Sequence, residues 1–190
     1  MLDHIAYQPP ALYRPGEITI SPWSYQSIGV DLVCAGQRSL ASQNYIAANV
    51  VIFVPFVVVE PMLVTRLWWA NGAAVSGNID CGIYNESAAL LASTGSSGQT
   101  PINVVQSVDI ADIALARGRY YMAMVSDTSG ATQKVMAALP AAGIPQSLGL
   151  LEQASVTLPL ATHASPATFA IYTRAFVPLF GLQGYRAIAL

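Results

Sequence analysis

From residue 49 onward the chain runs as short apolar stretches separated by turn residues, the spacing of a sandwich or barrel rather than of helices. Residues 50–59 and 62–70 read as two strands parted by Glu60-Pro61, the second interrupted by Thr65 and Arg66 before Trp68 and Trp69. Asn71-Gly72 then marks a turn. In the next strand Ile79, Cys81 and Ile83 fall on one face and Asp80, Gly82 and Tyr84 on the other, with residues 85–87 closing it. Residues 93–100 are a polar loop with two glycines, residues 104–110 alternate as a strand, and residues 111–116 fit either a helical turn or a loop. The clearest strand is 118–126. It sets Tyr120, Met122 and Met124 against Tyr121, Ala123 and Val125, and residues 127–130 supply its turn.

The flanking regions are less regular. Residues 137–168 are rich in Ala, Leu, Pro and Ser, with strands expected at 156–158 and 169–172 and room for two helical turns at 146–153. Prolines 140, 145, 159 and 166 exclude long helices there. A last strand is expected at 175–182, where Pro178 calls for an edge position or a bulge. About eight strands result, which fits a two-sheet jelly roll. Before them, prolines 9, 10, 15 and 22 interrupt every apolar group and bias the chain toward extended geometry. The expectation is an all-β, jelly-roll-like sandwich over residues 41–190 preceded by an extended N-terminal arm over residues 1–40. That arm carries Tyr7, Tyr13, Trp23 and Tyr25 as large contact groups without a core of their own.

Charge changes the picture most. Only 9% of the 190 residues are charged while 54% are apolar, against roughly 25% charged in ordinary globular chains. On the surface expected for a monomer of this mass that leaves about one formal charge per 480 Å². So little charge gives weak colloidal protection, and the surface is expected to be covered by further copies or partners. A net charge of −2 leaves no basic field for nucleic acid. Residues 40–59 carry no charge, but Pro55, the polar residues at 42–44 and 49, and Glu60-Pro61 break the run before it reaches the length of a spanning helix. No membrane segment and no signal peptide are expected, and the chain reads as one made in a cytoplasm.

The segments RLWWANGAAVSGNIDCGIYNESAALLASTG (66–95), LARGRYYMAMVSD (115–127) and FVPLFGL (176–182) resemble a β-sandwich found in virion proteins of tailed bacteriophages. These are tail fibres and small capsid or tail accessory proteins. The likeness spans about residues 46–182 and leaves the arm uncovered. It implies a non-enzymatic structural or attachment role in a virion, often as a homotrimer docked on other capsid or tail proteins. It carries over no catalytic residue.

Chemistry sought independently is sparse. The two histidines, His4 and His163, read as an arm residue and a solvated loop residue, and no Gly-x-Ser-x-Gly elbow accompanies them. Asp80, Asp109 and Asp112 lack a calcium-binding ladder and read as solvated strand-end carboxylates. Cys34 and Cys81 have no metal-ligand spacing and read as small buried hydrophobes. Residues 95–98 lack the Lys-Ser/Thr pair of a phosphate loop. No catalytic, cofactor or metal residue is expected.

Candidate contact residues are Tyr7, Tyr13, Trp23, Tyr25, Trp68, Trp69, Arg117 and Arg119. Adjacent strand residues face opposite ways, so one of Trp68 and Trp69 fills the core and the other suits a protein interface or a sugar platform. Seven of the eight cations are Arg, which pairs with carboxylates in a planar fork and keeps its charge on burial. Arg117 and Arg119 are placed either to meet a neighbour's carboxylate or simply to flank a strand start. The expected role is that of a virion decoration, fibre or tail accessory subunit. A carbohydrate-binding module for host surface glycan is the alternative.

Overall fold

The structure, a computed structural model, describes residues 17–20, 40–136, 149–162, 169–173 and 178–186. The described residues form thirteen strands and no helix. They are β1 (Glu17–Ile20), β2 (Leu40–Asn44), β3 (Val51–Val58), β4 (Met62–Ala70), β5 (Asn78–Asn85), β6 (Leu90–Ser93), β7 (Ser97–Gly98), β8 (Val105–Leu115), β9 (Gly118–Ser126), β10 (Thr132–Met136), β11 (Leu151–Gln153), β12 (Ala170–Ile171) and β13 (Phe180–Arg186).

One sheet has the order β1-β13-β4-β8, a second the order β12-β11-β3-β9-β5-β6 with β7 beside β5, and β10 pairs β2 separately. Every pairing is antiparallel. Numbering the main strands β1, β3, β4, β5, β6, β8, β9 and β13 from one to eight gives a sheet ordered 1-8-3-6 facing one ordered 2-7-4-5. That is the double Greek key of a jelly roll. The all-β sandwich read from the sequence is therefore present, with five short strands added to the main eight.

Two cores explain the long apolar runs. Between the sheets lie Ile52, Val54 and Phe56 of β3, Val64, Leu67 and Trp69 of β4, Ile79, Cys81 and Ile83 of β5, Met122 and Met124 of β9, and Phe180 and Leu182 of β13. The opposite face of the larger sheet is also dry: Val51, Phe53, Tyr84, Tyr121, Ala123 and Val125 lie beneath Val156, Leu160 and Phe169. A sheet covered on both sides reads as continuous hydrophobic sequence. Strand β9 accordingly alternates between the two cores rather than between core and water. Phe169 stacks on Phe53 with ring centroids 4.1 Å apart, and Tyr84 meets Phe53 edge-on at 5.4 Å.

Several sequence expectations are corrected. Residues 111–115 are neither helical turn nor loop but continue β8 past a register shift opposite Val64 and Arg66. Residues 156–158 are not a strand; they belong to the segment lying over the second core. The last described strand runs from Phe180 to Arg186, Pro178 makes only an isolated bridge to Val135, and residues 175–177 of the expected strand lie outside the described residues. Of the stretch expected to hold helical turns, residues 151–153 form β11. Within the expected arm, residues 17–20 form an outer strand on β13.

Gly184 is required by this packing. At the β13–β4 register shift, a Cβ on Gly184 would lie 2.1 Å from Leu63 O and 2.8 Å from Val64 Cα. Only a residue without a side chain lets the two backbones approach so closely.

Candidate functional site

The two adjacent tryptophans divide as alternation requires. Trp69 is completely buried, and its Nε1 donates to Asn71 Oδ1 at 2.8 Å. Asn71, also fully buried, passes the network on through Nδ2 to Pro101 O at 2.8 Å and to Gln106 Oε1 at 3.0 Å. Trp69 is thus a core residue that anchors the 98–106 connection and offers no surface to a partner. Trp68 faces outward and is half-buried. Its cross-strand neighbours are Gly181 and Ser107, so small residues flank the indole on both sides. Its Nε1 is shielded from solvent and has no acceptor among the described residues.

Near Trp68, Arg66 pairs with Asp109 across β4 and β8 at 3.3 Å. This exposed pair adds little stability. Asp109 is therefore a solvated strand carboxylate, as the sequence suggests, and Asp112 is exposed in the β8 irregularity. Asp80 is not. It is fully buried in β5, where Leu160 N donates to Oδ2 at 2.7 Å, Thr94 Oγ1 to Oδ1 at 3.0 Å and Ser93 Oγ to Oδ2 at 3.4 Å. Burial pushes its carboxyl above the ordinary carboxylate range, and the three hydrogen bonds oppose that shift only in part. Burial, then the nearby Asp80, likewise raises Tyr84, whose hydroxyl donates to Ala161 O at 2.9 Å. Leu90 N donates to Thr162 Oγ1 at 3.1 Å. Asp80, Tyr84 and Leu90 thus pin residues 160–162 onto the outer face of the larger sheet. Nothing in the sequence pattern marks this, because an acid in a half-buried strand ordinarily faces water.

Cys81 is a free, buried thiol raised in pKa by desolvation, an inert core residue as its sequence context suggests. Tyr45 is equally enclosed; its hydroxyl lies 2.6 Å from Met124 O and 2.8 Å from Val50 O, sharing one proton between two carbonyls. Among the described residues no three His, Cys, Asp or Glu side chains gather as a metal site. No helix among them is long and apolar enough to cross a membrane. Tyr7, Tyr13, Trp23, Tyr25, His4, Cys34 and His163 lie outside the described residues.

Arg117 and Arg119 are both exposed at the start of β9, yet they are not equivalent. Arg119 lies over the Tyr121 ring, 5.7 Å from its centroid, against the outer face of the larger sheet. Arg117 follows Ala116, which lines an open apolar groove of about 340 Å³ with Pro61, Met62, Leu63, Ala114 and Leu115. Val57 and Val59, 48% and 59% exposed, extend the apolar character of this end of the sandwich along the β3–β4 connection. Of the sequence-derived contact residues that are described, Arg117 and Arg119 are exposed, Trp68 is half-buried and Trp69 belongs to the core.

Comparison of the chain with protein-family models, with curated proteins and with solved structures finds no match in any of the three.

Proposed function

We propose that this chain is a structural subunit of a tailed-bacteriophage particle, a capsid decoration, fibre or tail accessory protein that works by assembling with copies of itself and docking on other virion proteins. The observation that carries the reading is the conjunction of a two-sheet jelly roll with a charge content of 9%. Jelly rolls recur in capsid proteins, although also in lectins and cupins, so the fold alone assigns no role. The sparse charge narrows it, since a subunit enclosed by neighbours needs few ions to stay dispersed. The role is non-catalytic on this reading, and the resemblance to phage sandwiches in residues 66–95 and 115–127 points the same way.

Mass spectrometry of purified particles from a host carrying this sequence tests the reading. The chain is expected in the particle at a fixed copy number. Absence from the particles overturns the proposal. Binding of the isolated chain to cell-wall polysaccharide, lost in Trp68→Ala, would replace it with a glycan-binding module.

A further inference from the structure

The apolar groove lies where β13 leaves its sheet. Arg186 of β13 pairs with Met62 of β4, and Met62 pairs with Leu115 of β8; in the next row Tyr185, Leu63 and Ala114 are in register. Met62, Leu63, Ala114 and Leu115 line the groove, with Pro61 just before β4 and Ala116 just after β8. Residue 187 follows Arg186 and therefore leaves the sheet level with Pro61 and Ala116. Pro61 is one strand away and Ala116 two, a separation of about 10 Å from β13 to β8. Pro61, Leu63, Ala114 and Ala116 are exposed, and no lining side chain is polar or charged.

Residues 187–190 read Ala-Ile-Ala-Leu, wholly apolar like the groove, and lie outside the described residues. In extended geometry Ile188 and Leu190 share one face and Ala187 and Ala189 the other. The three steps from 187 to 190 cover about 10 Å, which equals the two strand spacings from β13 to β8. A stretch turning across the sheet end toward β4 thus sets Ile188 beside Pro61 and Met62 and brings Leu190 to Ala116. Residues 1–16 approach from the other side, because Glu17 of β1 pairs with Tyr185 and β13 stands between β1 and β4. Their part nearest the sheet is Arg14-Pro15-Gly16, which includes a charge and no large aliphatic side chain.

We propose that residues 187–190 cross this end of the sheet and fill the groove of their own chain, with Ile188 and Leu190 as the apolar contacts. Removing these side chains and the groove walls from water together drives the contact. The short tether favours the chain's own segment over that of another copy, since it holds the segment at an effective concentration of about millimolar or more. The groove is then a latch for this chain, not a docking site for another protein. This contact does not rest on the virion reading.

Disulfide trapping in the full chain tests it, with Cys34→Ser throughout and Cys81 left in place because it is buried. The pair A116C/L190C is expected to form an intramolecular disulfide, seen as a faster-running monomer on a non-reducing gel. E17C/L190C is the control: β1 lies one strand spacing from β13 on the side away from the groove. A segment moving freely reaches position 17 at least as readily as position 116, so the control pair is expected to close about fivefold more slowly or worse if the groove holds the segment. Adding Ile188→Asp to A116C/L190C sets a carboxylate against apolar walls and is expected to slow closure about tenfold or more. Ile188→Val, which stays apolar, is expected to change the rate by less than about threefold. Equal rates for the two pairs, disulfides formed only between molecules, or a rate that Ile188→Asp leaves unchanged would each overturn the inference. None of these results bears on whether the chain is found in particles, so the two proposals fail separately.

Discussion

The backbone N–H of Leu160 donates to Oδ2 of Asp80 across 2.7 Å, tying a segment with no regular structure to a fully buried strand carboxylate 80 positions earlier. The bond holds Leu160 against the outer core of the larger sheet, where Val156, Leu160 and Phe169 replace the solvent that a sandwich face usually meets. Asp80→Ala leaves the Leu160 donor without its acceptor, at an expected loss of about 1–3 kcal/mol. Hydrogen exchange is expected to accelerate over residues 156–162 while the amides of β4 keep their protection. Equal acceleration in both would mean that the pin supports the whole fold rather than the covering segment.

The same carboxylate makes stability depend on pH. Burial raises the folded-state pKa of Asp80, so the folded chain holds this proton more tightly than the unfolded chain does. Its contribution is fully present below the unfolded value of about 3.9 and is lost as pH rises through the higher folded value. In Asp80→Asn the titration is absent. The difference in unfolding free energy between wild type and this variant, measured by urea melts, is therefore expected to shift in favour of the variant as pH rises from about 4 and then to level off. Other carboxylates contribute equally to both proteins and cancel. A difference that stays flat across the range would show that hydrogen bonding fully offsets desolvation.

The adjacent tryptophans offer a matched comparison. Trp69→Phe removes the Nε1 donor from buried Asn71 Oδ1 and leaves space in the main core. A loss of about 2–4 kcal/mol is expected from the two effects together. Trp68→Phe removes a shielded N–H that has no acceptor among the described residues, from a ring that is only half-buried. Its expected effect is within about 0.5 kcal/mol of zero. Denaturant midpoints of the two variants check the contrast, and similar values would contradict the division of roles.

What the sequence made legible follows from where one periodicity acted alone. Strands 62–70 and 118–126 were readable to the residue, because each alternates between two distinct environments and is bounded by turn chemistry. The β8 continuation through residues 111–115 was not, because the register shift at Ala111-Asp112 breaks alternation and leaves Ala-rich sequence with no strand signature. Asp80 was misread for a related reason: its burial comes from the segment around Leu160, whose placement is a long-range fact that no local window contains. Residues 175–182 looked like a closing strand by composition, yet β13 runs through the more polar 180–186 because Leu182 and Phe180 alone supply its core face. On the interface side, the split between Trp68 and Trp69 was derivable from strand geometry. The groove beside Arg117 was not, since it depends on β4 and β8 meeting at one end of the sandwich.

Gly184 provides the sharpest test of that β13–β4 register. Gly184→Ala places a methyl group 2.1 Å from Leu63 O and 2.8 Å from Val64 Cα, and both are backbone atoms of the neighbouring strand. Neither can swing away as a side chain would, so relief requires the strands to part along pairings that hold Phe180, Leu182, Leu67 and Trp69 in the main core. The expected loss is about 3 kcal/mol or more, the upper range for overpacking, which corresponds to a fall in the thermal midpoint of roughly 6–12 °C for a chain of this size. Gly118→Ala is the control. Its added Cβ meets nothing closer than Tyr120 Cε2 at 3.5 Å, an ordinary van der Waals contact, and its midpoint is expected within a few degrees of wild type. If Gly184→Ala melts with Gly118→Ala, then β13 does not pair with β4 in this register, and the four-stranded sheet that carries Trp68 and the groove must be redrawn.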